Sequence, residues 1–155
     1  MAQDIVVIDD DRVTSSMLKK VLSDNGYNVH TAFDGESGLQ LVMKIKPALV
    51  ILDMLLPKIH GADLCQKLKA EPELKKTKII LITAIYKEIL VRAESRKWGA
   101  DLFLEKPINT KELLRWIKEN LDEGKIRDSS LPRIKIEAVD IDDVISSLKD
   151  LIKDE

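Results

Sequence analysis

Short apolar runs and longer segments with helical periodicity alternate along the chain from Asp4 to Leu121. Runs of aliphatic and β-branched residues predict five strands, at positions 4–8, 27–31, 48–52, 78–82 and 101–104. Between and after these strands, apolar residues recur at steps of three and four, as they do at Val13, Met17 and Val21. This spacing predicts helices, so we expect five strands that alternate with five helices.

Turn and cap residues agree with this pattern. Gly26 follows the first predicted helix, where a left-handed cap is common, and Pro47 ends the second. Asp11 can cap the first helix and Asn109 the fifth. Alternation of this kind gives right-handed crossovers and a parallel sheet that is covered on both faces. The predicted fold is α/β: a doubly wound, flavodoxin-like parallel sheet of five strands.

The composition changes after Leu121. Positions 122–132 are polar and contain glycine, serine and proline, which predicts a linker. Positions 134–139 predict a short strand, and positions 140–153 predict an amphipathic helix with one apolar stripe. We therefore expect a compact domain over 1–123 and a short extension over 124–155. The helix of this extension could bind a partner, form a dimer or fold back onto the domain.

Charge and composition narrow the function classes. The 25 Lys and Arg residues against 27 Asp and Glu give a net charge of -2, so no strong attraction to nucleic acid or membranes is expected. A single cysteine, Cys65, excludes an internal disulfide and a cysteine-based zinc cluster. The sequence has no run of about 18 apolar residues and no signal-peptide pattern. We expect a cytoplasmic protein whose chemistry comes from carboxylates, hydroxyls and lysines.

Polar and charged residues follow directly after the predicted strands. Asp9 and Asp10 follow the first strand, Asp53 the third, Thr83 the fourth and Lys106 the fifth. Ligands of open α/β sheets bind outside the carboxyl ends of the strands, so these side chains should converge at one edge. A single aspartate in such a place is most often only a cap or turn residue. The complete ordered set is much harder to explain in that way.

The convergence of three carboxylates requires compensating positive charge. Two carboxylates about 4 Å apart repel by roughly 4 kcal/mol at an effective dielectric constant near 20. Lys106 supplies one positive charge, and a divalent cation would supply the rest. All-oxygen ligands favour a hard ion, Mg²⁺ or Mn²⁺. An aspartate that faces a metal-held phosphoryl group could act as a nucleophile and form an aspartyl-phosphate.

The chain from about position 4 to 121 resembles the receiver domain of two-component response regulators. The matching segments are 5–11 (IVVIDDD), 49–54 (LVILDM), 56–61 (LPKIHG), 82–84 (ITA), 99–101 (GAD) and 106–107 (KP). This resemblance implies that Asp53 is the phosphoacceptor. It also implies that Asp9, Asp10 and Asp53 hold Mg²⁺ together with the backbone carbonyl of Leu55.

The same resemblance implies a switch and partners. Thr83 and Phe103 match the family's switch pair, and Lys106 matches its phosphate-sensing lysine. A sensor histidine kinase or a phosphotransfer protein would donate the phosphoryl group, which makes the chain a signalling domain rather than an enzyme. A downstream protein, or a second copy of the chain, would bind the face of the fourth helix, fifth strand and fifth helix. Candidate residues of that face are Lys87, Arg92, Arg96, Lys111 and Trp116.

The sequence departs from the family pattern at three places. His60 stands where the family often has aspartate, and we expect it to be a surface residue of a loop. The interval from Thr83 to Lys106 is about one residue longer than usual. Leu55 and Ile85 are aliphatic at the positions that flank the attacking water in dephosphorylation. We hypothesise that they position this water poorly, so that the phosphorylated form is long-lived.

Two other classes of protein share features with this sequence. The run from Asp9 to Val13 also fits the Asp-x-Asp-x-Val start of haloacid-dehalogenase-type phosphohydrolases, with Asp9 as nucleophile. That interpretation leaves Asp53 and the loop at 57–61 unexplained. A flavodoxin-like cofactor binder would need a loop rich in glycine and hydroxyl groups after the first strand. The acidic residues there would repel a phosphate unless a metal intervened.

Overall fold

A computed structural model describes residues 2–57, 59–84 and 99–121. The fourth predicted helix, between the fourth and fifth strands, lies outside these residues. So do the predicted linker, strand and helix of the extension at 124–155. Ile85 and three candidate residues of the output face, Lys87, Arg92 and Arg96, are also outside the described residues.

The described chain alternates between strands and helices as predicted. The elements are β1 (Asp4–Ile8), α1 (Arg12–Asp24), β2 (Asn28–Ala32), α2 (Gly35–Ile45), β3 (Leu49–Asp53), α3 (Gly61–Ala70), a 3-10 turn (Pro72–Leu74), β4 (Lys78–Thr83), β5 (Leu102–Glu105) and α4 (Thr110–Leu121). Helix α4 is the fifth helix that the sequence predicts. The five strands are all parallel, in the order β2-β1-β3-β4-β5. The predicted doubly wound α/β fold is confirmed.

The sheet is packed on both of its faces. Alternate side chains of a strand point to opposite faces, so each central strand contributes to two apolar clusters. One cluster joins the sheet to α2 and α3 through residues such as Val42 and Leu64. The other joins it to α1 and α4 through residues such as Leu18 and Ile117. This two-sided burial explains why β1, β3 and β4 are apolar without alternation.

The buried face of α1 coincides only in part with the helical spacing of Val13, Met17 and Val21. Val13 is 79% exposed, whereas Met17 is partly buried and packs against the core. The buried residues are Ser15, Leu18 and Leu22. The Ser15 hydroxyl donates a hydrogen bond to the Asp9 carbonyl at 3.1 Å, which links the helix to the end of β1.

The apolar stripe of α4 is confirmed. Leu113, Ile117 and Leu121 are buried against the sheet. Trp116 joins them at 9% exposure. It is therefore a core residue and not part of an exposed interaction surface. No helix within the described ranges is long and apolar enough to cross a membrane.

Cys65 offers a direct test of this packing. It lies on α3 with no exposed surface, and burial raises the pKa of its thiol to about 12. The thiolate is the reactive species, so we expect no modification by a thiol reagent at pH 8 in the native protein. In denaturant the same reagent should label one site per chain.

A Val13→Cys variant provides the matched control, because its added thiol is at an exposed position and should react promptly. Mass spectrometry of the native protein counts the labels. Labelling of native wild type at the rate seen in denaturant would contradict the buried position of Cys65.

Candidate functional site

The carboxyl ends of four strands bring the predicted site residues together. Asp9 follows β1, Asp53 ends β3, Thr83 ends β4 and Lys106 follows β5. Strand β1 pairs with β3, and β3 pairs with β4. Residues far apart in sequence therefore lie side by side at one edge of the sheet, as the sequence predicts.

A buried ammonium group links two of the carboxylates. Lys106 Nζ lies 2.8 Å from Asp9 Oδ2 and 3.3 Å from Asp53 Oδ2. The side chains of these three residues are 13%, 0% and 8% exposed, respectively, so water screens their charges only weakly. The Lys106 N–H also donates to the Thr83 carbonyl at 2.8 Å, which holds the lysine beside the end of β4. The peptide bond between Lys106 and Pro107 is cis.

Backbone N–H groups orient the same two carboxylates. The Asp11 N–H donates to Asp9 Oδ1 at 2.9 Å, and the Leu55 N–H donates to Asp53 Oδ1 at 3.1 Å. In each carboxylate one oxygen is held by the backbone and the other lies beside Lys106. The positions of both carboxylates are thus fixed by the chain itself.

Three carboxylates in this arrangement leave an excess of negative charge. One ligand oxygen each of Asp9, Asp10 and Asp53 lies within 4.8 Å of the others. Burial, together with the adjacent Asp9, raises the pKa of Asp53 to about 6, against the opposing effects of the hydrogen bond from the Leu55 N–H and the charge of Lys106. Partial burial opposes the charged form of Lys106, but the two carboxylates outweigh it and raise the lysine's pKa. This hard, all-oxygen donor set fits a divalent cation such as Mg²⁺.

Asp11 takes no part in this cluster. Its side chain caps α1, accepting hydrogen bonds from the Val13 N–H at 3.0 Å and the Thr14 hydroxyl at 2.7 Å. The bond from Thr14 contributes most to lowering the pKa of this exposed carboxyl. The predicted capping role of Asp11 is confirmed. The second aspartate of the Asp-x-Asp pattern is therefore already engaged at the helix start.

The two predicted switch residues are both buried. Thr83 is 1% exposed at the end of β4, and Phe103 is 4% exposed on β5. In the β4–β5 register, Phe103 pairs with Leu81 and Thr83 pairs with Glu105. Phe103 contributes to the cluster under α2 and α3, so its ring is already inside the core.

A glycine holds the loop after β3 against the phosphoacceptor candidate. A Cβ atom at Gly61 would lie 2.5 Å from the Asp53 carbonyl oxygen and 2.6 Å from Met54 Cα. No larger residue fits there unless the backbone moves. His60 directly precedes Gly61 and occupies the N-cap position of α3, where its side chain forms no cap hydrogen bond. It is exposed, in agreement with its predicted surface position.

One contact at this edge has no counterpart in the sequence analysis. The Arg12 guanidinium carbon lies 4.0 Å from the centroid of the Phe33 ring. Arg12 begins α1, and Phe33 directly follows β2. Sequence spacing carries no signal for a contact between side chains of two such separate segments. Only the pairing of β1 with β2 brings them together.

Comparisons with known proteins agree with this geometry. The family model of the response regulator receiver domain matches residues 5–118. A putative response regulator from Chloroflexus aurantiacus is 34% identical, with 79% of this chain and 99% of that chain covered and a TM-score of 0.73. A CheY-like receiver domain protein from Methanospirillum hungatei is 31% identical, with coverages of 79% and 96% and a TM-score of 0.73.

A longer protein shows the same similarity over a part of its length. NtrX from Brucella abortus is 29% identical, with 79% of this chain but 28% of that chain covered and a TM-score of 0.71. The neighbours from Chloroflexus and Methanospirillum are described as response regulators, and the Asp11 side chain caps α1. Both findings argue against the haloacid-dehalogenase interpretation. The chain belongs to the response regulator receiver domain family.

Proposed function

We propose that this receiver accepts a phosphoryl group on Asp53 from a sensor histidine kinase or a phosphotransfer protein. The observation that carries the proposal is the position of Asp53, almost buried beside Asp9 and 3.3 Å from Lys106. A carboxylate in this place has an ammonium group beside it, and the neighbouring Asp10 of the same cluster is exposed to solvent. The product is a signal, not a released compound, so the chain acts as a signalling domain.

The transfer follows from the contacts of Asp53. One carboxylate oxygen forms a bond to phosphorus while the bond between phosphorus and the donor's leaving group breaks. The leaving group departs with the electron pair. Lys106 then neutralises one phosphoryl oxygen, and the Thr83 hydroxyl donates a hydrogen bond to another. The Leu55 N–H keeps the rest of the Asp53 carboxylate in place.

Mg²⁺ belongs to the same proposal. Asp9, Asp10 and Asp53 would hold it, together with the backbone carbonyl of Leu55. When bound, the ion neutralises the charge that accumulates among the carboxylates and the phosphoryl oxygens. Support comes from the close approach of the three acidic side chains, whose only strong internal counter-charge within the described residues is Lys106.

Phosphorylation would be communicated through Thr83 and Phe103. A move of Thr83 toward the phosphoryl group changes the packing around the Phe103 ring and biases a two-state element. We propose that the output face combines the fourth predicted helix with β5 and α4 and binds a downstream protein or a second copy. The division into a receiver at 1–123 and an extension at 124–155 is part of this proposal, as is a cytoplasmic location.

Phosphorylation can be tested directly. With Mg²⁺ and acetyl phosphate, intact-protein mass spectrometry should show one added phosphoryl mass on wild type and none on Asp53→Asn, because of the two carboxylates beside Lys106 the Asp53 side chain keeps some exposed surface and the Asp9 side chain has none. Asp11→Asn, which changes only the cap, should keep the adduct. An adduct that persists in Asp53→Asn and disappears in Asp9→Asn would instead support a nucleophilic Asp9.

Metal binding should appear as thermal stabilisation. Mg²⁺ at millimolar concentration should raise the melting temperature of wild type, because a bound ion stabilises only the folded site. Asp53→Asn removes one repelling carboxylate, so without metal it should be about 1–3 kcal/mol more stable than wild type, or roughly 3–10 °C. It should also gain less from Mg²⁺.

Scanning calorimetry with and without MgCl₂ measures both effects. Asp63→Asn is the matched control, because Asp63 is exposed on α3 and outside the cluster, so this variant should respond to Mg²⁺ as wild type does. Equal Mg²⁺ shifts in wild type and Asp53→Asn would count against Asp53 as a ligand.

The phosphorylated form should be long-lived. The Leu55 side chain is 46% exposed beside Asp53 and has no group that can orient a water molecule. We expect the purified phosphoprotein to decay over minutes or longer, and Leu55→Asn to decay about tenfold faster because an amide can hold the water. Val13→Asn is the control, since it makes the same kind of change at another exposed apolar position. A wild-type lifetime of seconds at neutral pH would refute the hypothesis.

A further inference from the structure

Two cations flank the acidic cluster, and they differ in what they contact. Lys106 approaches from the β5 side and is engaged by Asp9 and Asp53. Arg12 lies on the opposite side, toward β2, at the first position of α1. It is exposed, and within the described part of the chain no carboxylate lies within ion-pair distance of its guanidinium group.

Arg12 is nevertheless held in place. Its guanidinium carbon lies 4.0 Å from the centroid of Phe33, which is half-buried directly after Ala32. The Ala32 carbonyl accepts the Asp9 N–H at 3.1 Å, so the aromatic platform is attached to the backbone of the site itself. A cation–π contact restrains a flexible side chain without neutralising its charge. The result is a restrained positive charge, two residues after Asp10, that forms no ion pair with a carboxylate of the described residues.

We propose that Arg12, held over Phe33, is a positioning residue that draws the anionic phosphodonor toward Asp53. The inference rests on the proposed phosphorylation of Asp53 and adds a residue to it. An incoming donor carries two or more negative phosphoryl oxygens and must approach three carboxylates, so the exposed guanidinium group of Arg12, two residues after Asp10, lowers this electrostatic barrier. Arg12 takes no part in bond making: Asp53 attacks phosphorus, and the donor's leaving group departs with the electron pair.

The test compares phosphorylation rates across acetyl phosphate concentrations at fixed Mg²⁺. In Arg12→Gln the half-saturating concentration should rise roughly threefold to tenfold while the saturated rate stays close to that of wild type, because one charge at an exposed site contributes an effect of this size. Arg12→Lys should recover part of the loss. Phe33→Leu keeps the charge but removes its platform, and it should give a smaller rise.

Lys19→Gln is the matched control. It removes the same unit charge from an exposed position of α1, about 10 Å further along the helix, and should behave as wild type. Added NaCl should slow wild type and Lys19→Gln more steeply than Arg12→Gln, since only the latter has lost the local attraction. A merely structural role of Arg12 would not change this salt dependence. Melting temperatures confirm that the variants are folded.

The outcomes separate the two proposals. If wild type is phosphorylated but Arg12→Gln and Lys19→Gln share its half-saturating concentration and salt dependence, the role of Arg12 is overturned and the function of Asp53 stands. If Phe33→Leu equals wild type while Arg12→Gln does not, the platform is overturned. If wild type forms no adduct with acetyl phosphate and Mg²⁺, both proposals fail together.

Discussion

The contact of one buried ammonium with two carboxylates is the interaction on which the site depends. Lys106 lies 2.8 Å from Asp9 and 3.3 Å from Asp53, and these three residues follow or end three different strands. Without this positive charge, two almost fully buried carboxylates would face each other at close range. The strand order β2-β1-β3-β4-β5 is what allows residues so distant in sequence to meet.

At this edge of the sheet, carboxylates outnumber ammonium groups, which favours a reactive site at the expense of the stability of the folded protein. One lysine cannot neutralise three neighbouring carboxylates, and burial raises the pKa of Asp53 to about 6. A folded protein can hold such a cluster only if the remainder of the chain stabilises it. Here that stabilisation comes from strands such as β3, in which every residue is buried. The apolar core therefore holds the acidic edge in place, with three carboxylates close enough together to suit a divalent cation.

Sequence reasoning reached the fold and the main site residues because both depend on chain direction and period. An apolar run predicts a central strand, and a polar residue after that strand must lie at the carboxyl edge. Sequence reasoning was less complete where two regular spacings of apolar residues occur in the same helix. In α1 the steps of four from Val13 and from Leu18 look equally regular, but the structure buries Leu18 and Leu22 and leaves Val13 exposed. The helical period likewise did not predict whether Trp116 packs into the core or lies on the surface.

The contact between Arg12 and Phe33 belongs to a class of features that sequence patterns cannot reveal. It joins the start of helix α1 to the residue after strand β2, which follows that helix in the sequence, and no sequence spacing predicts such a contact.

The site can be divided into a buried half and an open half. The buried half consists of Asp9, Asp53, Thr83 and Lys106, the residues on which the proposed phosphoryl transfer depends.

The open half consists of Asp10, Arg12 and Leu55, which solvent and any donor reach first. Under the proposed function, substitutions in the buried half would alter the charges around the attacking carboxylate, and substitution of Asp10 would remove a ligand of Mg²⁺. Substitutions of Arg12 or Leu55 would alter only the approach of the donor and the lifetime of the phosphorylated form. A receiver can therefore change its donor preference and its signal lifetime without disturbing the chemistry. The aliphatic Leu55 and the restrained Arg12 of this chain are the kind of differences that this division permits.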